Sequence, residues 1–220
     1  MVIYDLAIKA GVKFDAHYMV VGIDPPELMN FIKSEYPLVV WDKPKVGIWK
    51  AFKTNGLPSR KFRWCCKLLK EPGGGGRRVV TGMRWQESTS RRRRRLFEIC
   101  NQDKTKYYVN PIIDWSEKDI WEYIVVKGLP YCSLYDEGFK RLGCVLCPMS
   151  TYKNAIRDIE RFPKTALAWR NAVDRYYNDS VSKGKSAGNK FNSSNEMWQW
   201  WLSRKGEPKV NEAQCIMFDN

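Results

Sequence analysis

The sequence predicts an α/β fold: a parallel sheet interleaved with helices over the first two-thirds of the chain, followed by a helical appendage. Three observations predict it. Apolar residues alternate between helical and strand spacing as far as residue 126, with short connections between the segments. Segments rich in Gly, Asp, Arg and Trp follow the strand-type runs, where a parallel sheet offers ligands its strand ends. Beyond Pro148 the strand-type runs stop and only helical patterns and a polar stretch remain. The expected organisation is therefore an α/β domain over 1–150 and a helical, Trp-rich extension and tail over 151–220.

Taken in order, Val2–Ala10 sets Ile3, Leu6, Ala7 and Ala10 at helical spacing, with Gly11 as C-terminal cap. Phe14–Ile23 reads as a strand ending in the apolar run Met19–Val21. Pro26 suits the first turn of a helix over Glu27–Glu35, with Asp24 as its cap. Leu38–Trp41 reads as a short buried strand and Val46–Lys53 as a helix. After the flexible Gly73–Gly76 run come strands over Arg78–Trp85 and Tyr107–Ile113, then a helix over Ser116–Val126 with Ser116 as N-cap. Tyr152–Arg161 and Thr165–Tyr177 are helical, Asp179–Ser193 is a polar linker, and Ser194–Ser203 is a helix carrying Trp198, Trp200 and Trp201 ahead of an extended tail. No internal repeat is visible.

Composition narrows the partners. With 220 residues, 44% of them hydrophobic, the chain can bury a real core and is not of the disordered class. No apolar run has the length of a membrane span and the N-terminus has no signal-peptide pattern, so no membrane partner is expected. Seven cysteines without a secretion signal point to a reducing cytoplasm, where thiols bind metal or react. Thirty-eight Lys and Arg against 24 Asp and Glu give a net charge of +14, which attracts a polyanion, either a charged nucleotide or a nucleic acid. The single histidine, His17, excludes His-rich zinc sites and any Ser–His or Cys–His pair that does not use it.

Chemistry concentrates in four cysteines, the adjacent pair Cys65-Cys66 and the C-x-x-C of Cys144 and Cys147. Thiolates are soft ligands, and four together suit an iron–sulfur cluster or zinc. Adjacent cysteines make a poor zinc knuckle, whose ligands are spaced by two to four residues. Iron–sulfur therefore leads, with zinc as the alternative. Cys100 and Cys132 have no such pattern and are assigned to the core.

The cysteines lie within Arg63-Trp64-Cys65-Cys66-Lys67-Leu68-Leu69-Lys70 and within the stretch from Gly128 to Pro148. With Thr81-Gly82-Met83-Arg84-Trp85-Gln86-Glu87-Ser88 and Asn110-Pro111-Ile112-Ile113-Asp114-Trp115-Ser116, they make the chain resemble the phosphoadenosine phosphosulfate (PAPS) reductase family. The cysteine pattern is closest to its iron–sulfur adenylylsulfate (APS) reductase branch. The resemblance runs from about Val2 to Pro148 and implies a nucleotide-α-hydrolase-like core of the PP-loop (HUP) type. The family's first strand and S-G-G-K-D-S phosphate loop have no counterpart here, since Met1–Leu6 resembles the helix that follows the loop. It also implies a [4Fe–4S] cluster on Cys65, Cys66, Cys144 and Cys147. Lys70, four residues after the second cysteine, would stand beside the cluster to offset its charge.

The same resemblance places Arg84, Glu87 and Ser88 at the phosphate or sulfate of a substrate. Arg91 is the substrate candidate of the arginine run, and Arg92–Arg95 are mostly solvated. Asp24, in Gly22–Leu28, is either near the nucleotide or only a helix cap, and Arg141 would face the anionic substrate. Asn110–Ser116 reads mainly as structural. The implied activity is reduction of a sulfonucleotide, APS or PAPS, to sulfite through a cysteine thiosulfonate, with a thioredoxin-like reductant. Of the family's E-C-G-[LI]-H tail only a cysteine is present, which makes Cys215 the candidate nucleophile. Two alternatives stand beside it. One is an ATP-pyrophosphatase-type sulfurtransferase that uses ATP and acts on DNA or RNA, which the charge and Arg91–Arg95 fit. The other is a truncated, non-catalytic cluster-binding protein.

Overall fold

The computed structural model describes residues 1–204. In chain order its elements are α1 (Val2–Lys9), β1 (His17–Met19), α2 (Pro26–Glu35), β2 (Val40–Asp42), α3 (Ile48–Asn55), α4 (Trp64–Leu69), β3 (Arg78–Val80), β4 (Phe97–Ile99), β5 (Tyr107–Val109), α5 (Glu117–Val126), α6 (Tyr152–Arg161), α7 (Pro163–Ser182), α8 (Ser186–Lys190) and α9 (Ser194–Ser203). The chain divides into two compact units. One gathers Met1–Tyr18, Pro26–Asp42 and Pro72–Arg141, and the other Met19–Pro25, Lys43–Glu71 and the chain from Leu142 onward.

The first unit is mixed α/β. β1 pairs with β2, and a second sheet has the order β3-β5-β4. β3 and β5 are parallel, with Arg78 opposite Tyr107 and Val80 opposite Val109. β4 is antiparallel to β5, with Phe97 opposite Val109 and Ile99 opposite Tyr107. The expected parallel sheet is thus present in the β3–β5 pair, while β4 is an addition. Val2, Ile112 and Ile124 form a buried cluster against which Ile3, Leu6, Trp115, Ile120 and Leu129 pack, holding α1 on α5. Tyr123 seals that contact by donating its hydroxyl to Asp5 at 2.6 Å. At the start of α5 the Ser116 hydroxyl accepts from the Asp119 amide (3.1 Å) and the Asp119 carboxylate accepts from the Ser116 amide (2.7 Å), a capping box.

The second unit is helical around Trp169, which is 1% exposed. Trp49, Phe52 and Trp201 meet it with ring centroids 5.2, 5.7 and 5.0 Å away. The C-terminal helices therefore share one core with α3, whose Ile48, Ala51 and Phe52 are buried. Two indoles also satisfy backbone carbonyls: Trp201 donates to Pro58 (2.8 Å) and Trp64 to Gly56 (3.2 Å).

Several expected elements change. The strands are three residues long rather than four to ten, because the apolar runs continue past the paired residues into turns. Leu38 and Val40 are 80% and 46% exposed, so the segment expected as a buried strand lies on the surface of a two-stranded pair. The polar stretch from Asp179 is not a linker: α7 continues to Ser182 and α8 follows, its Gly188 set so closely against Val181 that a Cβ there would stand 3.1 Å from the Val181 Cα. The Asp24 carboxylate accepts from the upstream amides of Val21 (2.9 Å) and Gly22 (3.3 Å).

Candidate functional site

The four cysteines, Lys70 and Asp24 all belong to the second unit. Cys65 and Cys66 occupy the first turn of α4, both half-buried. Successive helix residues point about 100° apart, so the pair spreads two sulfurs from one short helix. The Cys65 thiol hydrogen-bonds Cys66, which pushes the Cys65 pKa up and draws that of Cys66 down. Arg63 supports the Cys66 thiolate, its guanidinium 3.5 Å from the sulfur. Cys147 lies near enough to Cys65 to raise its pKa further.

Lys70 joins the two pairs. It ends α4 and hydrogen-bonds the Cys144 thiol, with Asp24 and Cys147 also in its field. Burial opposes its charge, but these groups outweigh that cost and its pKa rises. For Cys144 burial wins over the lysine, and its thiol is pushed up to about 11. Among the described residues no three His, Cys, Asp or Glu side chains stand in metal-ligating geometry. The donor set nevertheless suits a thiolate-liganded cluster: four thiols in one neighbourhood, two of them beside cations that would offset the charge of bound thiolates.

The C-x-x-C turn is held by residues that motif reasoning missed. Leu146, between the two cysteines, is fully buried and has a φ of 60°, in the left-handed region that non-glycine residues rarely enter. Its amide donates to the buried Asp158 carboxylate of α6 at 2.9 Å. Arg204, just past α9, donates to the carbonyls of Leu146 (3.3 Å) and Cys147 (3.2 Å). Burial raises the Asp158 pKa and lowers that of Arg204 to about 10. Arg60 adds a bond to the Ser150 carbonyl at 3.2 Å. Asp158 and Arg204 act on backbone groups, so no spacing rule could have marked them.

Arg84, Glu87, Ser88, Arg91 and Arg141 belong to the first unit. Because β3 and β5 are parallel, their carboxyl ends lie side by side, and the chain after each forms an open cleft of about 480 Å³. Trp85, Gln86 and Arg92 line it from the β3 side, Asp114 and Ser116 from the β5 side. The Trp85 amide donates to the Ile113 carbonyl (2.6 Å) and the Gln86 side chain accepts from the Glu117 amide (2.6 Å), which ties the two walls together. Arg84 is mostly buried beside this wall, 4.0 Å from Glu87, and its Nη1 is buried without a hydrogen-bond partner. Glu87 also pairs with Arg91, and the Ser88 hydroxyl accepts from the Arg91 amide, so Ser88 shapes the turn. Arg84 and Arg141 both act on Tyr135 electrostatically, while Arg141 itself is exposed. Arg92 is exposed, as expected, and also lines the cleft, as do Asp114 and Ser116, read above as mainly structural. Cys132 is in the core, whereas Cys100 is half-buried with the amides of Asp103 and Gln102 directed at its sulfur. Cys215 lies outside the described residues.

The first unit thus carries a strand-end cleft beside a guanidinium with one unsatisfied nitrogen, and the second unit brings four thiols and a lysine into one neighbourhood, in a chain of mixed α/β class. Residues 1–150 match the phosphoadenosine phosphosulfate reductase domain, and the chain belongs to that family. An uncharacterized protein of Methanocaldococcus jannaschii is 27% identical over 96% of this chain and 51% of its own length. The adenosine 5'-phosphosulfate reductase of Geobacillus kaustophilus is 29% identical over 67% of each chain. The crystal structure of phosphoadenylyl-sulfate reductase from Candida auris aligns with a TM-score of 0.49 at 22% identity, over 65% of this chain and 74% of that one. The chain spans about half the length, or less, of the first curated relatives it matches. Among the described residues no helix is long and apolar enough to cross a membrane.

Proposed function

We propose that the chain carries out sulfonucleotide reduction, taking APS or PAPS to sulfite. The observation that carries this reading is the meeting of Lys70 with Cys144 and Cys147 in the unit that also holds Cys65 and Cys66. Family membership alone does not require these residues to converge. The unpartnered Nη1 of Arg84 supports recognition of an oxyanion, since a buried guanidinium nitrogen without an acceptor costs stability until an anion supplies one. A [4Fe–4S] cluster on Cys65, Cys66, Cys144 and Cys147 would supply a polarising charge rather than electrons.

The residues of the chain do the rest. The Cys215 thiolate attacks the sulfate sulfur, forming an S–S bond as the S–O bond to the nucleotide breaks and the nucleotide phosphate leaves with the electron pair. A dithiol of the thioredoxin type then attacks the Cys215 sulfur, releases sulfite and closes to its own disulfide, which supplies the two electrons. Lys70 contributes fixed positive charge beside the thiols of its own unit, and Arg84 does so beside the strand-end cleft of the other.

Iron, acid-labile sulfide and zinc per chain, measured after anaerobic purification with Cys65→Ser and Cys144→Ser as controls, test the cluster. About four irons and four sulfides, lost in both variants, are expected; one zinc without sulfide would make the cysteines a structural clamp. Sulfite release from APS and from PAPS with a dithiol, abolished by Cys215→Ser, tests the reaction. No sulfite from either nucleotide by a cluster-loaded chain would remove the reductase reading.

A further inference from the structure

The three-stranded sheet of the first unit has one face that the fold leaves uncovered. Residues paired directly across a sheet share a face, so the registers place Arg78, Val80, Tyr107, Val109, Phe97 and Ile99 together. Three of these are large apolar side chains in solvent: Val80 is 43% exposed, Phe97 52% and Ile99 49%. Phe97 and Tyr107 stack nearly parallel, with centroids 5.5 Å apart and planes at 16°. The opposite face differs, since Val79, Glu98 and Tyr108 are half-buried there and Glu98 is bound to Arg94 at 2.5 Å.

Cations surround the uncovered face. Arg78 is on it and exposed, Arg92, Arg93 and Arg95 are exposed just ahead of β4, and Lys104 is exposed in the β4–β5 connection. The nearby acids are engaged: Asp15 pairs with Arg77, and Asp103 accepts from the Thr105 hydroxyl at 2.6 Å. We propose that this face binds single-stranded nucleic acid, the bases stacking on Phe97, Tyr107 and Ile99 and the phosphates meeting Arg78, Arg93 and Arg95. Aromatic rings take bases of any identity, and flanking cations track the backbone. Strand geometry makes the face roughly 7 Å by 10 Å, room for one or two unstacked bases. A duplex buries its bases and cannot use such a platform. The proposal is independent of the reductase reading.

The test is fluorescence anisotropy of the full chain with fluorescein-labelled 12-nucleotide oligo-dT and oligo-U across a salt series. A duplex of equal length serves as competitor. Phe97→Ala should weaken binding roughly 5- to 150-fold without changing the salt slope. R78Q/R93Q/R95Q should flatten the slope of log K against log salt by about 2, from three lost phosphate contacts at about 0.7 each. K153Q/K164Q, exposed lysines of the other unit, should leave the slope unchanged. Ile99→Glu, also on the face, repeats the Phe97 test should the first variant fold poorly. The proposal is overturned if the duplex competes as well as the single strand, or if both face variants bind like the parent. Equal flattening by K153Q/K164Q overturns it too. So does sedimentation showing a dimer that Phe97→Ala dissolves, because the face then belongs to a second copy of the chain.

Discussion

Leu146 shows how much a single backbone position can be asked to hold. Its φ of 60° is sterically unfavourable for a side chain branched beyond Cβ, and the turn persists because Asp158 and Arg204 hold the groups around it. Asp158→Ala would leave the Leu146 amide buried without an acceptor, at a cost of about 1–3 kcal/mol. A urea titration should show that loss, together with faster alkylation of Cys144 and Cys147. Unchanged alkylation would mean that the turn holds itself. A second residue-scale prediction concerns His17. Its ring is bonded to Asp15 (2.9 Å) and Asp42 (2.8 Å), and the Asp15 bond does most to raise its pKa. A raised folded-state pKa gives stability that is full below the unfolded value of about 6.5 and is lost as pH rises through the folded one. His17→Gln should therefore lower the urea midpoint at pH 5.5 and have little effect at pH 9, and an equal effect at both would exclude the ion pair as its source. At this scale the sequence was legible where residue type and spacing mark side chains that come together, as the cysteines and Lys70 do. It was silent on Asp158 and Arg204, which act through backbone amides and carbonyls.

Elements were legible in proportion to the number of periods they contain. α9 runs over Ser194–Ser203 and α6 over Tyr152–Arg161, as their periodicity implies, because ten residues hold nearly three helical turns and a recognisable cap. Three-residue strands hold barely one and a half periods of alternation, so their limits disappear into neighbouring apolar turns and β4 escaped notice. α4 escaped too, since Cys65 and Cys66 in its six residues read first as metal ligands. Two substitutions test the element ends. Ser116→Ala removes the hydroxyl half of the α5 capping box and should cost about 1 kcal/mol. Gly56, at the end of α3, has a φ of 70° and ψ of −159°, and a Cβ there would stand 2.7 Å from the Tyr176 hydroxyl. Gly56→Ala should then cost about 1–3 kcal/mol from backbone strain alone. Chemical melts of both variants check these values, and a neutral Gly56→Ala would show that the α3 terminus relaxes freely.

At the scale of the molecule, the family match ends at residue 150 but the second unit does not. α3 is eight residues long and buries Ile48, Ala51 and Phe52, against Trp169 and Tyr176 of α7. An isolated helix of that length is marginal in water, because nucleation costs more than so few hydrogen bonds return. Its order therefore depends on residues beyond the family match, as does the C-x-x-C turn through Asp158 and Arg204. α5 has no such dependence, since it packs on α1 within the first unit. A chain ending at residue 150 should then behave unevenly in hydrogen exchange. Amides of Ile48–Asn55 should lose their protection relative to the full chain while those of Glu117–Val126 keep most of theirs. Protection of α3 in the shortened chain would show that residues 43–71 fold without the Trp169 core, and the C-terminal helices would lose their part in organising the cysteines. Loss of protection in both helices would show instead that the two units unfold as one.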